Sequence, residues 1–223
     1  MHKKISIIIP ALNEAACIRD CLLPLQPLRE RGHEVIVVDG GSSDDTREIA
    51  GVLSDSVINC DRGRAVQMNA GAAASTGDVL VFLHADTQVS AGSMAELTEI
   101  ADPAWGCFSV RLSGSGLFYR VYSYCINLRA RISGIVTGDQ VLFVARALFE
   151  EIGGFPRIPL MEDVAISKRL KAFSRPVIID DEVITSTRRW EQHGRLRTML
   201  KMWLLRCRFA LGASPAALAK EYD

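Results

Sequence analysis

The chain has 223 residues, of which 48% are hydrophobic and 23% are charged. This length and composition are typical of one folded domain and exclude an intrinsically disordered chain. The 26 basic and 26 acidic residues give a net charge of zero. A general nucleic-acid-binding protein would show a basic excess, so we expect no nucleic-acid partner.

The first hundred residues alternate between short apolar runs and helical patterns. Ile5–Ile9 is predicted to be a strand that ends at Pro10, and Asn13 is predicted to cap a helix over Glu14–Glu30, bent by two prolines. Further strands are expected at 34–39, 57–58 and 79–86, and further helices at 46–53 and 62–73. This order, with short connections, predicts a parallel, right-handed α/β sheet under helices.

Two acidic residues each follow an apolar run. Asp39 closes Val35–Val38, and Asp86 closes Val79–Ala85. Such runs are typical of strands that are buried on both faces of a parallel sheet. Because open α/β sheets bind their ligands at the carboxyl ends of the strands, we expect a crevice there for a nucleotide and a cation.

The second half of the chain has a less regular pattern. Strands are expected at 108–112, 140–144 and 177–179, and helices at 117–132, just before Gly153, at 161–173 and at 190–211. No repeat or linker interrupts the sequence. We therefore expect one domain over residues 1–223, with a nucleotide-binding half to about residue 100 and an acceptor-binding half after it.

The cysteines and the apolar runs indicate a cytoplasmic location. The six cysteines are scattered without a C-x-x-C pair, which favours buried thiols over a zinc site. No apolar run reaches about 18 residues, so no transmembrane helix is predicted. The first residues lack the apolar core of a secretory signal.

A series of short motifs, in order along most of the chain, resembles family 2 glycosyltransferases. The motifs are Ile7–Glu14, Val37–Thr46, Gly63-Arg64, Asn69–Gly71, Thr76–Asp78, Phe82–Thr87, Gly138–Gln140, Ile152–Phe155 and Met161–Val164. Family 2 glycosyltransferases are nucleotide-sugar-dependent enzymes with the GT-A fold. The resemblance implies one GT-A, Rossmann-like domain with a mostly parallel central sheet, and a nucleotide-diphosphate sugar as donor.

The resemblance also implies which residues hold the nucleotide. This set is Pro10, Ala11, Asn13, Glu14, Asp39, Gly63, Arg64, His84, Ala85 and Asp86, with Asp39 accepting a hydrogen bond from the base. Plainer interpretations stay open for several of them. The turn at 10–14 and Asp39 are also suited to capping helices, and Arg64 to a solvated surface.

His84-Ala85-Asp86 stands where the family has its D-x-D metal motif. Mg²⁺ and Mn²⁺ prefer carboxylate oxygens, so Asp86 is the expected metal ligand. A divalent cation would stabilise the charge that develops on the leaving diphosphate. His84 replaces the first aspartate, where it would hydrogen-bond the ribose or simply pack in the strand.

In the family, the aspartate of a pair like Glu162-Asp163 removes the proton of the acceptor hydroxyl. One displacement with Asp163 as base would invert the anomeric centre; helix capping is the plainer alternative. The acceptor set that the resemblance implies is Gly138, Asp139, Glu162 and Trp190. Trp190 closes a segment like the Q-x-x-R-W motif of processive synthases, but Ser186 replaces the glutamine, which favours a non-processive enzyme.

The last predicted helix, 190–211, is basic and amphipathic. It is suited either to contact with an anionic membrane surface or to packing one face on the core. A sugar, a lipid-linked molecule or a small molecule would each serve as acceptor. Two other functions stay open: a nucleotidyltransferase acting on sugar phosphates, and a nucleotide-binding module without catalytic activity.

Overall fold

The computed structural model describes residues 3–98 and 105–222. The strands are β1 Ile5–Ala11, β2 Glu34–Asp39, β3 Ser56–Asn59, β4 Val79–Phe82, β5 Thr87–Gln88, β6 Trp105–Leu112, β7 Leu142–Ala145 and β8 Val177–Thr185. The helices are α1 Ile18–Leu22, α2 Gln26–Glu30, α3 Thr46–Leu53, α4 Arg64–Ala74, α5 Ala91–Ala95, α6 Leu117–Ser133, α7 Arg146–Glu151, α8 Glu162–Leu170, α9 Arg188–His193, α10 Arg195–Ala210 and α11 Pro215–Tyr222. The boundary expected near residue 100 lies outside the described residues.

The strands form one eight-stranded sheet in the order β3-β2-β1-β4-β7-β6-β8-β5. Strands β1 to β4 are parallel to one another, as the sequence predicted. The second half makes the sheet mixed rather than mostly parallel, because β7 is antiparallel to both β4 and β6. β8 returns parallel to β6, and β5 pairs antiparallel with β8.

The sheet is covered by helices on both faces, which explains the uninterrupted apolar runs. Along β1, Ile7 and Ile9 pack in a cluster with α1, α2 and α3. Ile8 faces the opposite way and packs with α4, α7 and α8. A third, smaller cluster joins α10 and α11 to the start of α8 through Leu205 and Leu218.

Pro10 does not end the first strand. It lies within β1, paired in register with Val38. The carbonyl of Ile8 accepts from Leu83 on the β4 side, and that of Ala11 accepts from Gly40 on the β2 side. The backbone groups of successive residues point alternately toward the two neighbouring strands. The N–H that Pro10 lacks would therefore point toward β4. The pairing of β1 with β4 ends before Pro10, at Ile8.

Several predicted boundaries were wrong. The helix expected over 14–30 begins only at Ile18 and is broken into α1, a 3₁₀ turn over Leu23–Leu25, and α2. Asn13 is not its cap, because Cys17 holds that position. The strand expected to reach Asp86 ends at Phe82.

The second half differs more from expectation. β8 runs to Thr185, six residues beyond its predicted end, because it pairs along β6 across a register shift. The expected helix at 190–211 breaks at Gly194, whose φ of 86° belongs to the left-handed region. The α6 prediction was accurate to one residue. All six cysteines are free, but the expectation of buried thiols holds only for Cys21 and Cys107, and Cys125 is exposed.

Within the described ranges, no helix combines the length and the apolar character needed to cross a bilayer.

Candidate active site

The carboxyl ends of β1 and β2 finish level, so the loops that follow them lie side by side. The Asn13 carboxamide accepts a hydrogen bond from the Ser43 N–H (2.9 Å), and the Glu14 N–H donates to Thr46 (2.8 Å). The side chain of Gln67 donates to the Ala11 and Val38 carbonyls, both at 2.8 Å. These bonds fix the edge at which a ligand of an α/β sheet is expected.

Asp39 is fully buried at this edge. One carboxylate oxygen accepts from the N–H groups of Gly41 and Ser42, both at 3.0 Å. The other oxygen is buried and has no hydrogen-bond partner. A buried acceptor without a partner is costly. A ligand N–H or O–H group that donates to this oxygen would remove that cost.

Glu14 connects this edge to the start of α9. Its carboxylate accepts from the Arg188 guanidinium at 2.8 Å and from the Cys17 thiol at 3.1 Å. Burial, together with the Glu14 hydrogen bond, raises the pKa of Cys17 to about 12. The Cys17 thiol is therefore protonated at neutral pH and not a nucleophile.

His84 and Asp86 follow the end of β4, and a neutral imidazole is the stable form of His84. Burial lowers the pKa of His84, Arg64 lowers it further, and the carboxylates of Asp86, Asp139 and Asp163 only partly oppose this. A neutral imidazole can accept one hydrogen bond and donate another. Its ring lies against Gly138, where an added Cβ would be 2.3 Å from Cε1.

Asp163 lies in the first turn of α8. The N–H of Gly138 donates to its Oδ2 at 3.0 Å, and the N–H of Val164 donates to its Oδ1 at 2.7 Å. Met161, the residue just before α8, has a φ of 67°, which is uncommon for a residue with a side chain. The carboxylate is thus held in one orientation by two backbone donors on different elements.

Glu162 is 3% exposed and pairs with Arg64 across the site, with Nε to Oε1 at 3.1 Å. Burial raises the pKa of Glu162, and Asp163 adds to this, while Arg64 opposes both. The pair ties the start of α4 to the start of α8. Arg64 is therefore engaged in a specific contact rather than freely solvated.

The turn at 138–140 is supported from behind by Arg129, which donates to Thr137 (2.8 Å) and Gln140 (3.0 Å). On this turn, Asp139 has a buried oxygen without a hydrogen-bond partner. Trp190 of α9 meets the ring of Tyr122 edge-on, with centroids 4.7 Å apart. Trp190 therefore packs on aromatic neighbours and also lines the site.

Two adjoining cavities bring most of the predicted residues together. The first, the β1 cavity, has a volume of about 390 Å³ and is lined by Pro10, Ala11, Leu12, Glu14, Arg62, Gly63, Arg64, Gln67, His84, Ala85, Asp86, Pro159 and Tyr222. The second, the α10 cavity, has a volume of about 200 Å³, and its lining includes Arg64, His84, Asp86, Tyr122, Gly138, Asp139, Asp163, Trp190, Thr198, Met202, Arg206 and Tyr222. Arg64, His84, Asp86 and Tyr222 line both, so the two cavities share one wall.

Three predicted residues do not line these two cavities. Asn13 is exposed and bonded to Ser43, Asp39 is buried beneath the edge, and Glu162 lines only a small interior space beside His84.

Three residues that line the cavities were not predicted from the sequence as site residues: Gln67, Tyr222 and Arg206. A glutamine inside a helical pattern and residues near the end of the chain give no local signal of a site.

The donors present fit one hydrated divalent cation. Within residues 3–98 and 105–222, no group of three or more His, Cys, Asp and Glu side chains could hold a metal alone. Mg²⁺ and Mn²⁺ are commonly held by one or two carboxylates together with water and substrate phosphates. Asp86, on the wall between the cavities, supplies such a carboxylate, with the neutral His84 beside it.

The protein-family model described as glycosyl transferase family 2 matches residues 6–140. Glycosyltransferase AglE of Haloferax volcanii is 37% identical over 169 residues, which cover 68% of this chain and 56% of AglE. A PGL/p-HBAD biosynthesis glycosyltransferase of Mycobacterium tuberculosis is 29% identical over 189 residues, covering 78% of this chain and 71% of the relative. The chain thus spans little more than half the length of AglE.

Solved structures share the fold. The mannosyltransferase PcManGT of Pyrobaculum calidifontis, in complex with GDP-Man and Mn²⁺, superposes with a TM-score of 0.66 at 22% identity, covering 97% of this chain and 67% of that one. S. aureus TarS 1-349 in complex with UDP-GlcNAc gives a TM-score of 0.66 at 18% identity, covering 83% of this chain and 59% of that one. The single α/β domain with a curled mixed sheet is therefore the GT-A fold.

Proposed function

This chain belongs to glycosyl transferase family 2, and on that basis we propose that it transfers a sugar from a nucleotide-diphosphate sugar to a hydroxyl acceptor. The observation that carries the proposal is the shared wall between the two cavities. It places Asp86 and His84 against both, with Asp163 lining the α10 cavity. A sugar donor in the first cavity and an acceptor in the second would both lie against Asp86 and His84.

The β1 cavity is suited to the nucleotide. Its volume of about 390 Å³ is in the range of small-molecule sites. Pro10, Ala11 and Glu14 line it. Asp39 lies buried beneath its edge, and its oxygen without a partner would accept a hydrogen bond from a base that reaches it. The two solved structures named above are complexes with different nucleotide sugars, GDP-Man and UDP-GlcNAc, so the base and the sugar are identified by the screen described below.

A divalent cation, Mg²⁺ or Mn²⁺, would be held by Asp86 and would neutralise the charge on the leaving diphosphate. His84, beside this cation, would donate a hydrogen bond to the nucleotide sugar. Arg64, already paired with Glu162, would add a fixed positive charge near the phosphates.

Asp163 would act as the general base. The backbone N–H groups of Gly138 and Val164 fix its carboxylate, so each oxygen keeps a lone pair for an acceptor proton. A single displacement with the base opposite the leaving phosphate inverts the anomeric centre. Gly138, Asp139 and Trp190 would position the acceptor, and Glu162 would hold Arg64 in place.

The first test starts from a thermal-shift screen of nucleotide sugars with Mg²⁺ or Mn²⁺, since ligand binding raises the melting temperature. The donor found is then incubated with sugar, lipid-linked and small-molecule acceptors, and release of the nucleoside diphosphate is followed. We expect Asp163→Asn to lower transfer by about 10²- to 10⁴-fold, the usual contribution of a general base. Its affinity for the nucleotide should not change.

The matched control is Asp20→Asn, because Asp20 is an exposed aspartate on α1. It should keep normal turnover. Normal turnover by Asp163→Asn would remove Asp163 as the base. Nucleotide binding without any transfer would indicate an inactive binding module, and release of pyrophosphate from a nucleoside triphosphate and a sugar phosphate would indicate a nucleotidyltransferase.

The proposed location is the cytoplasm, with peripheral contact to a membrane through the basic residues of α10. A lipid-linked acceptor would then reach the α10 cavity, which Thr198, Met202 and Arg206 of this helix line.

A further inference from the structure

Two helices beside the α10 cavity expose apolar stripes instead of burying them. On α6 the exposed residues are Leu117, Val121, Tyr124, Leu128 and Ile132. On α10 they are Leu196, Leu200, Trp203 and Leu204. Within each helix the spacing is mostly three or four residues, so each set occupies one face.

These residues are concentrated rather than scattered. Among the described residues, fourteen large hydrophobic side chains are exposed, and nine of them lie on these two helices. Single exposed apolar side chains are normal, whereas grouped ones mark an interaction surface. α10 buries only Thr198 and Leu205 against the protein, so packing on the core leaves its long apolar stripe uncovered.

Both helices are also entirely basic in their charged residues. Their charged side chains are Arg120, Arg129 and Arg131 on α6, and Arg195, Arg197, Lys201, Arg206 and Arg208 on α10. Neither helix contains an aspartate or a glutamate. Arg131 pairs with Asp180, Arg208 pairs with Glu221, and Arg129 bonds the turn at 138–140. The basic charge of this surface therefore comes from Arg120, Arg195, Arg197, Lys201 and Arg206.

The two helices belong to one surface. The guanidinium of Arg195 on α10 lies 4.9 Å from the ring centroid of Tyr119 on α6. Trp190, just before α10, packs against Phe118 and Tyr122 of α6. Tyr122 and Met202 line the α10 cavity from the two helices, so the exposed stripes flank that cavity.

We propose that α6 and α10 together form a docking surface for an anionic lipid bilayer. The stripes would enter the boundary between head groups and acyl chains, and the basic side chains would contact the anionic head groups. Trp203, at 68% exposure, is the residue type that favours this boundary. The proposal extends the membrane contact of α10 proposed above to a two-helix surface, and its test requires no transfer activity.

The test measures sedimentation of the full chain with two kinds of vesicle, one of phosphatidylcholine alone and one of equimolar phosphatidylcholine and phosphatidylglycerol. We expect at least about tenfold stronger partitioning to the anionic vesicles, which weakens as salt is added. Equal partitioning to both, or none to either, would overturn the proposal.

Two matched pairs of variants locate the contact. Val121→Glu on α6 and Leu200→Glu on α10 should each reduce partitioning by about tenfold or more, whereas Val52→Glu, at a more exposed valine on α3, should not. Arg197→Glu should reduce partitioning more than Arg47→Glu, an identical charge change at an exposed site on α3. Equal effects within either pair would contradict the assigned surface.

Nucleotide affinity measured on the same variants separates this proposal from the proposed function. The exposed residues do not line the cavities, so UDP or GDP binding should be unchanged. A concentration-dependent dimer that Val121→Glu or Leu200→Glu dissociates, without lipid binding, would assign the surface to a second copy and overturn the lipid proposal.

Discussion

Gly138 contacts two side chains that are proposed to act in the cleft, His84 and Asp163. Its N–H donates to Asp163, and the imidazole of His84 lies against its Cα. Any side chain there would meet the His84 ring, with the first carbon 2.3 Å from Cε1. The neighbouring Val141 has a φ of 55°, so the turn that carries Gly138 is held in a strained backbone conformation.

Gly138→Ala should therefore displace His84 and loosen the orientation of Asp163. We expect transfer to fall by about 10- to 100-fold, since small displacements of reacting groups have effects of that size. Rate and nucleotide affinity, measured together, check this expectation. Gly51→Ala is the control, because its added carbon would have no neighbour within 4 Å. An unchanged rate in Gly138→Ala would show that the ring is accommodated elsewhere.

At the scale of elements, α4 packs closely enough on the sheet to need a glycine. A Cβ on Gly71 would lie 2.4 Å from Cγ2 of Ile8 and 2.9 Å from Cγ2 of Val38, which belong to β1 and β2. The same helix begins with Arg64 in the cleft and carries Gln67, which bonds the ends of both strands. The distance between α4 and the sheet thus sets the geometry of the β1 cavity.

Gly71→Ala should lower the free energy of unfolding by about 1–3 kcal/mol, the usual effect of overfilling a packed core. Gly51→Ala, within α3, should instead raise it by up to about 1 kcal/mol, because alanine is the better helix former. Urea denaturation of both variants gives the comparison. A neutral Gly71→Ala would mean that α4 can move away from the sheet without cost.

At the scale of the whole molecule, the cleft is closed by parts of the chain that are far apart in sequence. Glu14 after β1 pairs with Arg188 at the start of α9, and Arg64 of α4 pairs with Glu162 of α8. Tyr222, near the end of the chain, lines both cavities, and its carbonyl accepts from Lys201 at 2.9 Å. Ligands bound in the cleft should therefore stabilise the entire fold.

UDP or GDP with Mn²⁺ should raise the melting temperature, with a stabilisation of about 2.7 kcal/mol at a ligand concentration one hundred times the dissociation constant. Asp86→Asn should lose the part of this increase that depends on Mn²⁺ and keep part of the nucleotide effect. Thermal unfolding with and without EDTA measures it. If Asp86→Asn responds to Mn²⁺ as the unchanged protein does, Asp86 is not the metal ligand.

The sequence by itself determined the parallel strands of the first half. The runs at Val35–Val38 and Val79–Ala85 are local patterns, and they predicted β2 and β4, with Asp39 at the end of β2; β4 ends at Phe82, four residues before Asp86. Most of the residues taken from the family motifs, among them Asp86, Gly138 and Asp163, line the shared cleft, although their roles stay predictions.

Only the tertiary structure decided the rest. The mixed half of the sheet, the extension of β8 and the strand position of Pro10 depend on which strand lies alongside. The parts played by Gln67, Arg129 and Tyr222 depend on partners distant in sequence. Periodicity and turn residues report each segment's own preference for helix or strand. Hydrogen bonding and close packing between distant segments are set when the chain folds, and no local pattern encodes them.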